Sequence, residues 1–364
     1  MSVRRTRCNG DSAVLPNLVG VVEGFYGRPW TEANRLEAAS WMRQLGFNAY
    51  FYAPKSDAIL RSRWQSPYSS ADRAGLEALV KIYQRQGLHF GVGLSPLGIN
   101  QSWTSEGKRA LSDKLSQLVD IGIDFLGVLF DDMTGLSTES LERQLDLLHC
   151  VRMRVDDMPL FACPSYYSDD PVLEEVFGPM PPGYIEDFGR ALPKHTTPIW
   201  TGPEVCSKEI NEEHLDAVVG RFGRPLALWD NYPVNDGRVR SNHLYIRPLS
   251  NRASRRDLVT AHFCNPMNQA NLSVLGLIGL STTYNLVSTG QLQAFASEFF
   301  GPELHSWLVG HAAEFEEAGL LGWPRAKRAA IKRSIPKGNP TAVIELIDWL
   351  DDKYAFDPAC LTDV

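Results

Sequence analysis

The sequence predicts an α/β protein built as a (β/α)8 barrel, TIM-like, with a short C-terminal helical extension. Eight short apolar runs recur across residues 18–286, most followed by polar or glycine-bearing residues and then an amphipathic stretch. The runs are continuously apolar and lack in/out alternation, as parallel strands buried on both faces require. No G-x-G-x-x-G follows the first run, which disfavours the alternative, a doubly wound open sheet.

The elements follow in order. The first run, 18–22, precedes Pro29, and Thr31 with Glu32 starts a helix over 31–45 that Gly46 stops. The second run, 49–53, leads to a helix over 71–86 ended by Gly87. Runs three and four, 90–94 and 125–130, lead to helices over 105–121 and 137–154. The fifth run is 160–163, and the sixth, 198–201, opens on a proline and precedes a helix over 208–219. The seventh is 226–229 and the eighth 258–263. Between these last two, residues 231–254 are rich in Arg and Asn and show no period, so a functional loop is expected there. Residues 268–286 read as a closing helix.

Three parts result: a flexible tail over 1–17, the barrel over 18–286 and a helical extension over 287–364. In the extension Val343, Leu346, Ile347 and Leu350 recur at helical spacing, and Trp307, Trp323 and Trp349 are assigned to packing. That apolar face packs on the barrel or on a second copy, so the C-terminal helices are a candidate homodimer surface.

Thirty-six Lys and Arg against 43 Asp and Glu leave a net charge of −7, which argues against a nucleic-acid partner. No apolar run reaches the ~20 residues of a membrane span. Arg4, Arg5 and Arg7 are not followed by an apolar signal region, so a cytoplasmic protein is expected. Six cysteines lack C-x-x-C spacing and eight histidines lack H-E-x-x-H, so neither a disulfide framework, a metal nor another cofactor is expected. Nine Trp would suit carbohydrate faces, though core packing explains them just as well and is the commoner role of Trp.

Barrels carry chemistry at the C-terminal ends of their strands. The residues there are Glu23-Gly24-Phe25-Tyr26-Gly27, Pro54-Lys55-Ser56-Asp57, Ser95-Pro96, Asp131-Asp132, Tyr166-Tyr167, Gly202-Pro203-Glu204, Asp230-Asn231 with Asn235-Asp236, and Asn265-Pro266. Asp, Asn, Tyr and Gly dominate, the types that hydrogen-bond sugar hydroxyls and amides, although polar residues end many strands without further purpose.

Asp131-Asp132 is the sharpest feature. Close like charges should drive one carboxyl toward neutrality as a general acid while its partner stays ionised. The alternative is a pair that caps the next helix. Neighbours in a strand point to different sides, so the pair is not expected to flank a glycosidic bond, as the carboxyls of ordinary retaining glycosidases do at about 5 Å separation. It suits a plan in which a 2-acetamido group of the substrate is the nucleophile: one Asp orients it, the other protonates the leaving oxygen and then deprotonates water.

Gly20-Val-Val-Glu-Gly-Phe-Tyr-Gly-Arg-Pro-Trp30 resembles the opening motif of glycoside hydrolase family 84, the O-GlcNAcases and bacterial β-N-acetylglucosaminidases once grouped with hyaluronidases. The likeness continues through Tyr52-Ala-Pro-Lys55, Phe130-Asp-Asp132, Trp200-Thr-Gly-Pro203, Ser207-Lys-Glu-Ile210, Trp229-Asp-Asn-Tyr-Pro-Val-Asn-Asp236 and Asn265-Pro266. The resemblance implies a retaining exo-β-N-acetylglucosaminidase acting through an oxazoline on a GlcNAc-bearing glycan or glycoprotein, without metal. By the same resemblance Asp131 orients the acetamido N–H and Asp132 is the general acid/base. Gly24 offers its backbone to the sugar, and Lys55 reaches a hydroxyl or the acetamido region. Tyr167, with Tyr166 as its neighbouring alternative, bonds the oxazoline, and Trp229 packs on the N-acetyl methyl group. Asn231 lies near the acetamido group or the acid/base loop, Asp236 holds O4 and O6, and Asn265 holds a further hydroxyl. Ser56 stands where several relatives carry Asp, a change expected to cost one local contact. A lectin-like protein that binds GlcNAc without turnover and an endo-acting hyaluronidase are the competing readings.

Overall fold

The computed structural model describes residues 17–354 and 356–360, so nearly all of the expected N-terminal tail lies outside the described residues. The chain runs β1 (Leu18–Glu23), α1 (Glu32–Gln44), β2 (Ala49–Tyr52), α2 (Ser70–Arg85), β3 (His89–Leu94) and α3 (Ser105–Ile121). It continues through β4 (Phe125–Leu129), α4 (Thr138–Val155), β5 (Leu160–Cys163), α5 (Pro171–Phe177) and α6 (Tyr184–Ala191). Then come β6 (Thr196–Trp200), α7 (Glu212–Phe222), β7 (Leu226–Asp230), β8 (Val259–Cys264) and α8 (Ser273–Thr283). Four further helices complete it: α9 (Thr289–Phe300), α10 (Pro302–Glu317), α11 (Arg325–Ser334) and α12 (Pro340–Leu350).

The eight strands are parallel and close into a (β/α)8 barrel in sequence order, with β1 bonded to both β2 and β8. Closure puts both faces of every strand under cover, which is why β1 is buried at all six of its positions. Phe51, Phe125, Phe161 and Phe263 meet inside the barrel with ring centroids 5.4–6.4 Å apart. Small residues make room for them: a Cβ at Gly91 would stand 1.9 Å from the Phe125 ring. The barrel interior is therefore filled below, and an open end lies above this aromatic plug, where Trp229 packs 5.9 Å from Phe51.

Helix boundaries follow local chemistry. Thr31 and Asn34 form a reciprocal capping box at α1, and the glycines expected as stops, Gly46 and Gly87, take left-handed φ of 73° and 76°. Two differences from the sequence reading stand out. Residues 164–195, read without a helix, hold α5 and α6, of seven and eight residues, too short for a periodic signal. The closing helix begins at Ser273 and not at 268, because Asn268 turns to bond the carbonyls of Tyr26 and Arg28. Among the described residues no helix is long and apolar enough to cross a membrane.

The extension packs on the barrel's open end. Trp349 on α12 meets Trp323 and Phe315 at 6.0 and 5.5 Å and donates from Nε1 to the carbonyl of Ser241 at 3.2 Å. Residues 231–254 are regular only at a 3₁₀ turn, Arg240–Asn242, and α10 also grips them. Leu244 N donates to Phe315 O, and Arg247 pairs with Glu316 and Glu317. The loop's conformation is thus imposed from outside, which explains its lack of any period.

Candidate active site

Above the aromatic plug lies a cavity of about 590 Å³, counted to its open mouth, a size suited to a small ligand. All nine residues given a role by the family resemblance line it: Gly24, Lys55, Asp131, Asp132, Tyr167, Trp229, Asn231, Asp236 and Asn265.

β4 stops at Leu129, so the Asp pair stands just past the strand. The strand-alternation argument does not hold there. Asp132 takes a left-handed φ of 57°, a conformation Asp tolerates, and both carboxyls face one cavity. Nor does the pair cap α4, whose N-cap is Ser137.

Lys55 changes the electrostatics expected of this pair. Its ammonium, with the side chain 5% exposed, bonds Asp131 Oδ2 and lies 3.6 Å from Asp132 Oδ2. Burial pushes the Asp131 carboxyl up, but the Lys55 ammonium and then the Arg61 guanidinium outweigh it and hold Asp131 below the usual carboxylate range. Burial likewise opposes the Lys55 charge, and the two carboxylates restore it. Like-charge repulsion, argued from the pair alone, left out the cation between them. Asp131 Oδ1 is buried and has no hydrogen-bond partner among the described residues.

Asp132 is held by two phenols. Tyr26 Oη donates to Oδ2 at 2.6 Å and Tyr167 Oη to Oδ1 at 3.1 Å. Burial and then the Asp132 charge push the Tyr26 hydroxyl well above its ordinary value, so it remains a donor. Tyr166 turns away, donating to Gly178 O and packing edge-on against Tyr184. Neighbours at the end of β5 alternate, and only Tyr167 reaches the cavity.

The opposite wall is a relay of amides. Trp229 Nε1 and Asn265 Nδ2 both donate to Asn231 Oδ1 at 3.0 Å, and Asn231 Nδ2 donates to Val205 O at 2.8 Å. Asn265 Oδ1 accepts from Gly24 N at 3.2 Å. Gly24 is required by contact: a Cβ there would stand 2.1 Å from Trp229 Cζ2. Asp236 Oδ2 accepts from Tyr26 N at 2.7 Å, and burial raises its carboxyl pKa. Ser56 is exposed and does not line the cavity.

Beneath Asn231, Asp230 is fully buried and bound by Arg252 through both oxygens, at 2.6 and 3.0 Å, with His262 Nε2 3.1 Å away. Asp230, His262 and Cys264 bring potential ligand atoms within 4.8 Å of one another. The carboxylate is already committed to the guanidinium, so the cluster reads as an ion-pair network that ties β7 to the loop before β8.

Reading the strand ends missed several residues. Tyr26 was in view within its motif, but nothing local aims its phenol at Asp132. Arg61, Arg240 and Arg252 sit in connections, where arginine carries no special signal. Cys360, from the segment after α12, also lines the cavity, and Phe356 lies 5.0 Å under the Arg238 guanidinium.

A family profile described as β-N-acetylglucosaminidase matches residues 19–295. The chain is 28% identical over 247 residues to Protein O-GlcNAcase of Rattus norvegicus and of Mus musculus, which covers 65% of this chain and 26% of each of theirs. It therefore spans about a quarter of the length of those curated relatives. The structure of a mutant O-GlcNAc hydrolase from Thermobaculum terrenum matches with a TM-score of 0.72 at 27% identity, over 92% of this chain and 74% of that one. With the profile running from the first strand past the eighth, the chain belongs to the β-N-acetylglucosaminidase family, glycoside hydrolase family 84.

Proposed function

We propose that the chain is a retaining exo-β-N-acetylglucosaminidase that removes a terminal β-linked GlcNAc with the substrate's own acetamido oxygen as nucleophile. The observation that carries this reading is the unequal supply of donors to the two carboxylates. Asp131 keeps Oδ1 buried without a donor, while each oxygen of Asp132 receives a phenol. An acetamido N–H would fill the vacancy on Asp131 and be polarised by a carboxylate that Lys55 keeps ionised.

In the first step the acetamido oxygen attacks the anomeric carbon, the bond to the leaving oxygen breaks, and Asp132 gives that oxygen its proton. The product is an oxazolinium ion, an oxazoline that keeps its N–H proton, whose positive charge lies beside the Asp131 carboxylate. In the second step Asp132 takes a proton from water, the water oxygen attacks the anomeric carbon from the face just vacated, and the acetamido group is released. Two inversions retain the configuration. Gly24 N is committed to Asn265, so its carbonyl is the backbone atom left for a sugar hydroxyl. Tyr167 would bond the oxazoline, Trp229 would cover the acetyl methyl group beside Asn231, and Asp236 and Asn265 would hold hydroxyls at the far end. The relatives' names point to GlcNAc on protein hydroxyls as the acceptor class.

A chromogenic β-GlcNAc glycoside tests the reading. Wild type should hydrolyse it, and Asp132→Ala should lose about 10²-fold or more in rate. N-trifluoroacetyl substrate should react more slowly, since its amide oxygen is a weaker nucleophile; equal rates would exclude neighbouring-group participation. GlcNAc binding without any hydrolysis would make the protein lectin-like. A panel of GlcNAc-peptide, chitobiose and muropeptide would then rank the acceptors.

A further inference from the structure

We infer that Arg61 is a positioning residue for this reaction: from outside the sugar cavity it fixes the Tyr26 phenol as a donor to Asp132 and places a second cation behind the carboxylate pair. The inference rests on the catalytic reading above.

Arg61 lies in the connection between β2 and α2 and does not line the cavity. Its Nη2 donates to Tyr26 Oη at 3.2 Å, and the guanidinium carbon lies 5.3 Å from the centre of that ring. Lys55 Nζ lies 5.3 Å from the same centre, so two cations flank one phenol. A phenol oxygen has one proton to give. With Arg61 donating into that oxygen, the Tyr26 proton goes to Asp132 Oδ2, where the 2.6 Å separation puts it. The arrangement also acts when Asp132 is protonated. An oxygen already accepting from a guanidinium is a poor acceptor for the Asp132 proton, which is left for the leaving oxygen.

The charge matters as well as the orientation. The groups facing Arg61 are Tyr26 from the β1–α1 loop, Asp131 and Asp132 from the end of β4, and Lys55 from the end of β2. After Lys55, Arg61 is the next cation lowering Asp131. Its Nε is buried with no hydrogen-bond partner among the described residues, so the side chain accepts an unmet donor to stand where it does.

The test compares wild type with Arg61→Met and Arg61→Lys by two readouts. One is the pH titration of the Asp131 carboxyl carbon in aspartate-labelled protein, assigned with Asp131→Asn. The other is the pH–rate profile on the chromogenic glycoside. Arg61→Met should move the Asp131 titration, and the acid limb of the profile, to higher pH by on the order of one unit. It should lower kcat about tenfold with little change in KM. Arg61→Lys, which keeps the charge but not the planar fork, should hold the titration near wild type and still lose kcat. Adding Tyr26→Phe to Arg61→Met should cost no further kcat. An unchanged titration in folded Arg61→Met, or additive losses with Tyr26→Phe, would overturn the inference. Should Arg61→Met not fold, wild-type kcat in Arg61→Lys would overturn it. A titration that moves in a protein without hydrolysis would refute the proposed activity and leave the hold of Arg61 on the pair standing.

Discussion

The ring edge of Trp229 lies directly against the backbone of Gly24, so closely that a single added methyl would sit 2.1 Å from Cζ2 and 2.5 Å from Cη2. The indole cannot slide away without breaking its 3.0 Å bond to Asn231, which also holds Asn265. Gly24→Ala should therefore leave the barrel folded and lower kcat/KM by about 10²-fold, the scale of an ångström of misplacement. Steady-state kinetics beside a thermal melt checks this; wild-type turnover would mean the wall is softer than its contacts imply.

Lys55→Met removes the nearest cation from Asp131. Asp131 is held below the usual range, so its ionised form is lost only at low pH in wild type. Without Lys55 the carboxyl moves up, and the acid limb of the pH–rate profile should move to higher pH with it. The rate at neutral pH should fall by about 10- to 100-fold. An acid limb that does not move would show that Lys55 is not what keeps Asp131 ionised.

Asp230 governs acid stability. Burial pushes its carboxyl up, but Arg252 and the His262 hydrogen bond bring it down to about 2 from 3.8. A lowered folded pKa gives stability that is present above pH 3.8 and lost as pH falls through about 2. The size is about 2 kcal/mol. Arg252→Met leaves that carboxylate buried and unpaired and should cost about 3–5 kcal/mol at neutral pH by denaturant melts.

Glu345 acts with the opposite sign. It joins α12 to the start of α8, accepting from Asn271 N at 3.0 Å and Leu272 N at 3.0 Å, and burial raises its carboxyl to about 8 from 4.5. A raised folded pKa gives stability that is whole below 4.5 and lost as pH rises through about 8. Wild-type Tm should fall between about pH 5 and 8, within that window, and Glu345→Gln, which cannot ionise, should flatten the fall. A parallel decline in both proteins would place the alkaline loss elsewhere.

The strands of the barrel were legible because parallel strands covered on both faces must be apolar throughout, and that demand is local. Every run found in the sequence lies on an observed strand, with ends shifted by at most two residues. α5 and α6 were not legible, being too short to show a period. The ring of strand-end residues was legible for a related reason, while the roles of individual residues came from the family resemblance. A barrel gathers its chemistry at strand ends, so position in the chain stands in for position in space.

What the sequence determined by itself is the set of strands, the strand-end residues and the family they belong to. What only the tertiary structure decided is how those residues act on one another. Tyr26 and Asp132 stand 106 residues apart, and their hydrogen bond exists because closure brings the first and fourth strand ends over one cavity. Lys55 between the carboxylates, Arg61 behind the phenol and Cys360 at the wall come from separate segments in the same way. The left-handed turn at Asp132, which brings both carboxyls to one side, is a backbone choice that an Asp-Asp pair permits and does not require. Charge and hydrogen bonding depend on distance through space, and the sequence reports only distance along the chain.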